Sequence, residues 1–196
     1  MNEANLPPLV VDLDGTLVMA ETSLISARLA FRDKPLAALA AAFALLDGRA
    51  AAKRAFARLA RPKPRGLPYH PGVQSFLAKE RLRGRTLHLA TGADDAIAQE
   101  VAAYVGVFDS AQGSDGRINL KGAAKLAWID ARFPEGFDYL GDSVDDLPIW
   151  RAIGRAMLVG RAVSLAPRLR DEGVHILATI QHAPAAAPPS PAVSEG

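Results

Sequence analysis

Short apolar runs alternate with stretches of helical spacing along most of this chain. Val10–Leu13, Thr86–Ala90, Phe137–Leu140, Ala156–Val159 and His175–Leu177 have the length and composition of buried strands. Between them, Pro71–Glu80, Asp94–Tyr104, Ala123–Phe133 and Asp145–Ile153 place apolar side chains three and four residues apart, as one face of a helix requires. Strand–helix alternation predicts βαβ units and therefore an α/β fold, a Rossmann-like parallel sheet flanked by helices.

One segment, Glu21 to Leu67, departs from the alternation. It is dense in Ala and Leu and is broken at Asp33–Pro35 and Asp47-Gly48, so it reads as two or three short helices inserted after the first strand. Arg61 to Gly66 is a turn-rich hinge leading back. The expected organisation is a core from residues 1–20 and 68–182, a small helical cap at 21–67, and a disordered Ala/Pro-rich tail at 183–196.

Composition narrows the class. With 196 residues, 49% hydrophobic and 22% charged, the chain can bury a sizeable core as an ordinary soluble protein. Its net charge of +2 comes with arginines scattered along the sequence, so no nucleic-acid partner is implied. The absence of cysteine excludes disulfides and thiol nucleophiles. Met1 to Pro8 has neither the basic flank nor the apolar centre of a leader. The most lipid-like run, Pro35 to Leu46, falls short of the ~20 residues a membrane span needs. A cytoplasmic protein without a transmembrane segment is expected.

Polar clusters follow three of the strands: Asp12 with Asp14, Thr91-Gly92, and Asp142-Ser143. Ligands of open parallel sheets bind outside the carboxyl ends of the strands, so these clusters should converge. Asp12 and Asp14 share a strand face. Two carboxylates held together persist when a cation lies between them or when one keeps a proton.

The segments VVDLDGTLV (Val10–Val18), LATG (Leu89–Gly92), NLKGAAK (Asn119–Lys125) and YLGDSVDD (Tyr139–Asp146) occur in that order. Together they resemble the haloacid dehalogenase superfamily of phosphotransferases, over Leu9 to about Arg161. The resemblance implies a Mg²⁺-dependent phosphomonoesterase. Asp12 would be the nucleophile, forming an aspartyl-phosphate. Asp14 would protonate the leaving oxygen and then deprotonate the attacking water, and its backbone carbonyl would ligate the metal. Thr91 and the N–H of Gly92 would bind phosphoryl oxygens. Asp142 would supply a further metal carboxylate, and Asp146, on the first turn of the next helix, would support the metal or the lysine.

Two lysines compete for the phosphate. Lys125 shares the helical stripe of Trp128 and Ile129, and Asn119…Gly122…Lys125 is similar to the N-x-x-G-x-x-K form of the phosphoserine-phosphatase-like branch. Lys125 is preferred and Lys121 held in reserve. An acid at Asp14 favours phosphoester hydrolysis over dehalogenation, because an alkoxide leaving group needs a proton and a halide does not. Sugar phosphomutases share that acid and stay as an alternative. LPYHPGV (Leu67–Val73), VFDSAQGSDGRINLKGAAK (Val107–Lys125) and FDYLGDSVDDLPIW (Phe137–Trp150) are also similar to the phosphatase-type domain fused ahead of UbiA-family prenyltransferases. That likeness leaves open an accessory partner of a membrane prenyltransferase, and a substrate that is a phosphorylated small molecule or is lipid-linked.

Other residues receive plainer readings. Asp94, Ser143 and Asp145 are expected as helix caps, and His88 as a core or interface residue. Tyr69 and His70 are candidates to line the cleft. Arg49 and Arg54 are candidates for substrate phosphate, though a solvated helix face is the simpler account.

Overall fold

The computed structural model describes residues 6–115 and 117–181, so the tail expected at 183–196 lies outside the described residues. Six strands, β1 (Leu9–Val11), β2 (Leu87–Asp94), β3 (Ser110–Ser114), β4 (Asp138–Gly141), β5 (Arg155–Val159) and β6 (His175–Ile180), form one sheet in the order β3-β2-β1-β4-β5-β6. All neighbours run parallel. β1 is central, with Leu9 opposite Leu87 on one side and Asp138 on the other. Helices cover both faces, which is why β1 is continuously apolar instead of alternating.

On one face α4 (Pro71–Leu82) and α5 (Asp95–Val105) pack Val73, Leu77, Ile97 and Val101 against Leu9, Val11 and Leu89. On the other, α6 (Ala123–Arg132), α7 (Leu147–Ile153) and α8 (Ala166–Asp171) pack Ile129, Ile149, Trp150 and Leu169 against Val10 and Tyr139. The fold is the expected Rossmann-like α/β sheet.

Between β1 and α4 lie α1 (Thr22–Asp33), α2 (Pro35–Ala42), a 3-10 turn at Phe43–Asp47, and α3 (Arg49–Leu59). Pro35 occupies the first turn of α2, where its missing N–H costs nothing. Gly48, at φ +109°, makes the reversal into α3 that a residue with a side chain would resist. The two ends of this insert are tied together: Met19 N–H donates to the Pro68 carbonyl (2.8 Å) and His70 N–H to the Leu17 carbonyl (2.9 Å).

Some elements differ from expectation. β3 reads Ser-Ala-Gln-Gly-Ser and has no apolar run, because it sits at the sheet edge with only Gly113 and Ser114 buried. β2 continues to Asp94, so Thr91 and Gly92 lie within its final residues instead of after it. The helix expected at 145–153 begins as a separate 3-10 turn, Val144–Asp146, and becomes α-helical only at Leu147; Asp146 therefore lies in that turn. Among the described residues no helix is long and apolar enough to cross a membrane.

Candidate active site

Asp12 leaves the end of β1 with its N–H donating to the Leu140 carbonyl of β4 (3.0 Å). The chain then turns at Gly15, φ +82°, where a Cβ atom would overlap the Asp142 carboxylate. Both the backbone conformation and the close approach therefore demand glycine. The turn sends Asp14 toward the insert, and its Oδ1 accepts from the Thr22 N–H at the start of α1 (2.9 Å). Burial pushes the Asp14 carboxyl up to about 7, opposed by that hydrogen bond and reinforced by the charges of Glu21 and Asp12.

Lys125, on α6, reaches the same place from the opposite face of the sheet. Its buried Nζ lies 2.8 Å from Asp12 Oδ1, 2.8 Å from the Tyr139 hydroxyl and 3.8 Å from Asp146 Oδ1. The Tyr139 hydroxyl donates in turn to Asp146 Oδ1 (2.8 Å). Burial alone would lower the Lys125 ammonium, yet the carboxylates of Asp12 and Asp146 more than offset it and hold it above the ordinary lysine value. Lys121 instead pairs with Asp145 at the rim (2.9 Å), both half exposed. Lys125 is thus the lysine that contacts Asp12.

Asp142 follows β4 and pairs with Arg161 (2.9 Å). Burial, then the charge of Asp12, push its carboxyl up to about 7, with Arg161 acting the other way. Asp146 is also raised, by burial above all, with Lys125 opposing. One carboxylate oxygen from each of Asp12, Asp142 and Asp146 lies within 4.8 Å of the others. Three buried acids, all presenting carboxylate oxygen to one small volume, fit a hard divalent cation such as Mg²⁺. The Asp14 side chain stands outside this trio, committed to Thr22.

Thr91 is buried, its hydroxyl accepting from the Ala93 N–H (3.0 Å). The Gly92 carbonyl accepts from Ser114 (3.0 Å) and from Lys53 of α3 (2.5 Å). Asp12, Asp14, Thr91, Gly92, Lys125, Asp142 and Asp146 all border one small cleft. These seven residues are therefore brought together.

The same cleft is bordered by residues that sequence reasoning missed. Lys53 enters from the insert, and burial lowers its ammonium below the ordinary lysine value while Asp14 opposes the shift. Nothing in a helix carrying four bases distinguishes it beforehand. Arg161 follows β5, and a polar residue just past a strand's carboxyl end was the available signal. Tyr139 sits within an apolar strand, where its ring hides the role of its hydroxyl.

Other expectations need correction. Tyr69 stacks on Tyr104 (5.8 Å) and His70 caps α4 through Nδ1, which accepts from the Val73 N–H (3.4 Å), so neither borders the cleft. Pairing of their segment with Val18 and Leu17 directs them away. Asp145 is not a cap: Ser143 caps the 3-10 turn in a reciprocal arrangement with Asp146, leaving Asp145 to Lys121. Arg54 bonds the Asp115 carbonyl, and neither it nor Arg49 borders this cleft. Asp94 does cap α5 by accepting from the Ala96 N–H (3.1 Å), and His88 is buried against Ser110 and Phe133.

A family model described as haloacid dehalogenase-like hydrolase matches residues 9–151. The uncharacterized protein y4nM of Sinorhizobium fredii is 40% identical over 169 residues, which make up 86% of this chain and 33% of that protein. The chain thus spans about a third of the length of that relative. A solved structure of a protein of unknown function from Bordetella pertussis matches with a TM-score of 0.62 at 16% identity, covering 88% of this chain and 98% of its own. A substrate-bound phosphoserine phosphatase matches with a TM-score of 0.58 at 16% identity, covering 88% and 93%.

Proposed function

The chain belongs to the haloacid dehalogenase-like hydrolases, and from that footing we propose that it is a phosphomonoesterase working through an aspartyl-phosphate on Asp12. The observation that carries this reading is the second acid. Asp14 is held protonated to about 7 beside a buried carboxylate–lysine pair, which suits departure of an alkoxide and serves no purpose for a halide.

In the first step an Asp12 carboxylate oxygen forms a bond to phosphorus and the bond to the ester oxygen breaks. The proton on Asp14 goes to that oxygen. In the second step water attacks the phosphorus of the aspartyl-phosphate, its proton passes to Asp14, and the Asp12 carboxylate is released with inorganic phosphate. Lys125, the Thr91 hydroxyl and the Gly92 N–H hold the phosphoryl oxygens and offset their charge. Tyr139, bonded to both Lys125 and Asp146, fixes the ammonium in place. Asp12, Asp142, Asp146 and the Asp14 backbone carbonyl would hold Mg²⁺, whose contribution is to neutralise charge between two anions.

The substrate is a phosphorylated small molecule, and the bases Lys53, Lys121 and Arg161 around the cleft support an anionic one. The test is hydrolysis of an aryl phosphate with and without Mg²⁺, beside Asp12→Asn. Metal-dependent turnover that vanishes in the variant is expected, with a phosphorylated peptide containing Asp12 recovered after acid quench. Turnover that survives in Asp12→Asn would remove Asp12 as nucleophile.

A further inference from the structure

The insert carries a second feature that hydrolysis does not use. From Pro35 to Leu46 no residue is charged or polar. Leu36, Leu39, Phe43 and Leu46 recur at three- and four-residue intervals and so share one stripe of α2 and its 3-10 extension. That stripe faces water: Leu36 is 84% exposed, Phe43 68% and Leu46 86%. Inward, α2 presents alanine, with Ala38 fully buried among α1 and α3. A surface helix normally turns its large apolar side chains to the core and its charges to solvent. Here the large side chains point out and the small ones in, an arrangement that calls for an external partner.

Charge indicates which partner. Residues 21–67 contain ten lysines and arginines against three acids, a net +7 within a chain of net +2. The exposed Arg28, Arg32 and Lys34 precede the stripe and Arg49 follows it. A second copy docked stripe to stripe would oppose two such basic inserts, and like charges facing each other disfavour that contact. An apolar stripe flanked by bases is what an anionic lipid surface accepts, its leucines entering the headgroup–acyl boundary while the bases meet phosphate.

We propose that the insert docks this chain on anionic lipid bilayers, with Leu36, Leu39, Phe43 and Leu46 lying in the interface plane. The element is too short to span, so attachment is peripheral and reversible. The proposal is independent of the hydrolase reading, since it involves none of the cleft residues.

Co-flotation of the 196-residue chain with lipid vesicles tests it. The chain should float with phosphatidylcholine vesicles containing about one third phosphatidylglycerol and stay behind with pure phosphatidylcholine, and high salt should release it. The double variant Leu36→Asp/Leu46→Asp, at two of the most exposed positions, should keep the parental melting temperature and lose about tenfold or more in partitioning. Absence of binding to the anionic vesicles overturns the proposal, as does binding undiminished in the double variant. A concentration-dependent dimer in sedimentation equilibrium that the same substitutions dissolve, without vesicle binding, assigns the stripe to a second copy. A monomer that binds no vesicle leaves the stripe to a different protein and equally overturns the lipid assignment.

Discussion

Lys125→Ala, set beside Lys121→Ala, separates two lysines four residues apart by their surroundings alone. Lys125 is fully buried, with its charge 2.8 Å from Asp12 and 3.8 Å from Asp146. Removing one member of a buried pair typically costs ~3–5 kcal/mol, because the charge left behind has no water to turn to. Asp146 can take up a proton in the variant, since burial already raises its carboxyl, so the lower end, about 3 kcal/mol, is expected. For a chain of this size that lowers the melting temperature by about 6–12 °C. Loss of a cation aimed at the phosphoryl oxygens should cost about 10²–10³ in kcat. Lys121 and Asp145 are both more than one third exposed, and such surface pairs contribute ~0–1 kcal/mol. Lys121→Ala should therefore melt within a few degrees of the parent and keep kcat within about threefold. The assay is kcat and KM on an aryl phosphate at saturating Mg²⁺, run well below both melting transitions so that lost rate is not lost fold. If Lys121→Ala loses more rate than Lys125→Ala, the assignment of the phosphate-binding cation is wrong.

Asp14 is protonated below about 7 and loses its proton as pH rises through that value, so kcat/KM on alkyl phosphates should fall about tenfold per pH unit above it. An aryl phosphate, whose leaving group needs less protonation, should fall less; identical profiles for both would take Asp14 out of the acid role. At one hundred times its dissociation constant Mg²⁺ should stabilise the protein by ~2.7 kcal/mol, a rise of about 5–10 °C. Differential scanning fluorimetry should show that rise lost in Asp142→Asn, and a rise of equal size there would place the cation elsewhere. Lys53→Ala should raise KM about tenfold or more with little change in kcat for substrates bearing a second anionic group; an unchanged KM would reduce Lys53 to a tie onto the Gly92 carbonyl.

How much of this could be read beforehand depended on whether a residue's role was local. β1, β2, β4 and β5 are buried on both faces, so their apolar runs announce them, and the polar residues at their ends announce Asp12, Thr91 and Asp142. Lys125 was legible because it interrupts an otherwise apolar helical stripe with a charge that must find a partner. β3 was not, since its pairing with β2 uses backbone groups and its side chains leave no pattern. Tyr139 hid because its ring belongs to the core while its hydroxyl belongs to the site. Lys53 could not be told from its neighbours, because its position depends on how α3 meets the end of β2. Tyr69 and His70 misled because polar residues beside a hinge look like a cleft wall until the pairing with Leu17 and Val18 is seen.

β1, the first strand of this sheet in chain order, takes its two flanking partners from segments roughly eighty and roughly one hundred and thirty residues further on. Contacts so distant along the chain form late, because long loops must close before the pairing repays them. Until then Asp12 and Asp14 are ordinary solvated carboxylates, since Lys125 arrives with α6 and Asp142 with the end of β4. Closure of the sheet around β1 is therefore also the event that brings the lysine and the third carboxylate to Asp12. Under the proposed function a half-folded chain would lack this assembled site, so turnover would double as a readout of completed assembly.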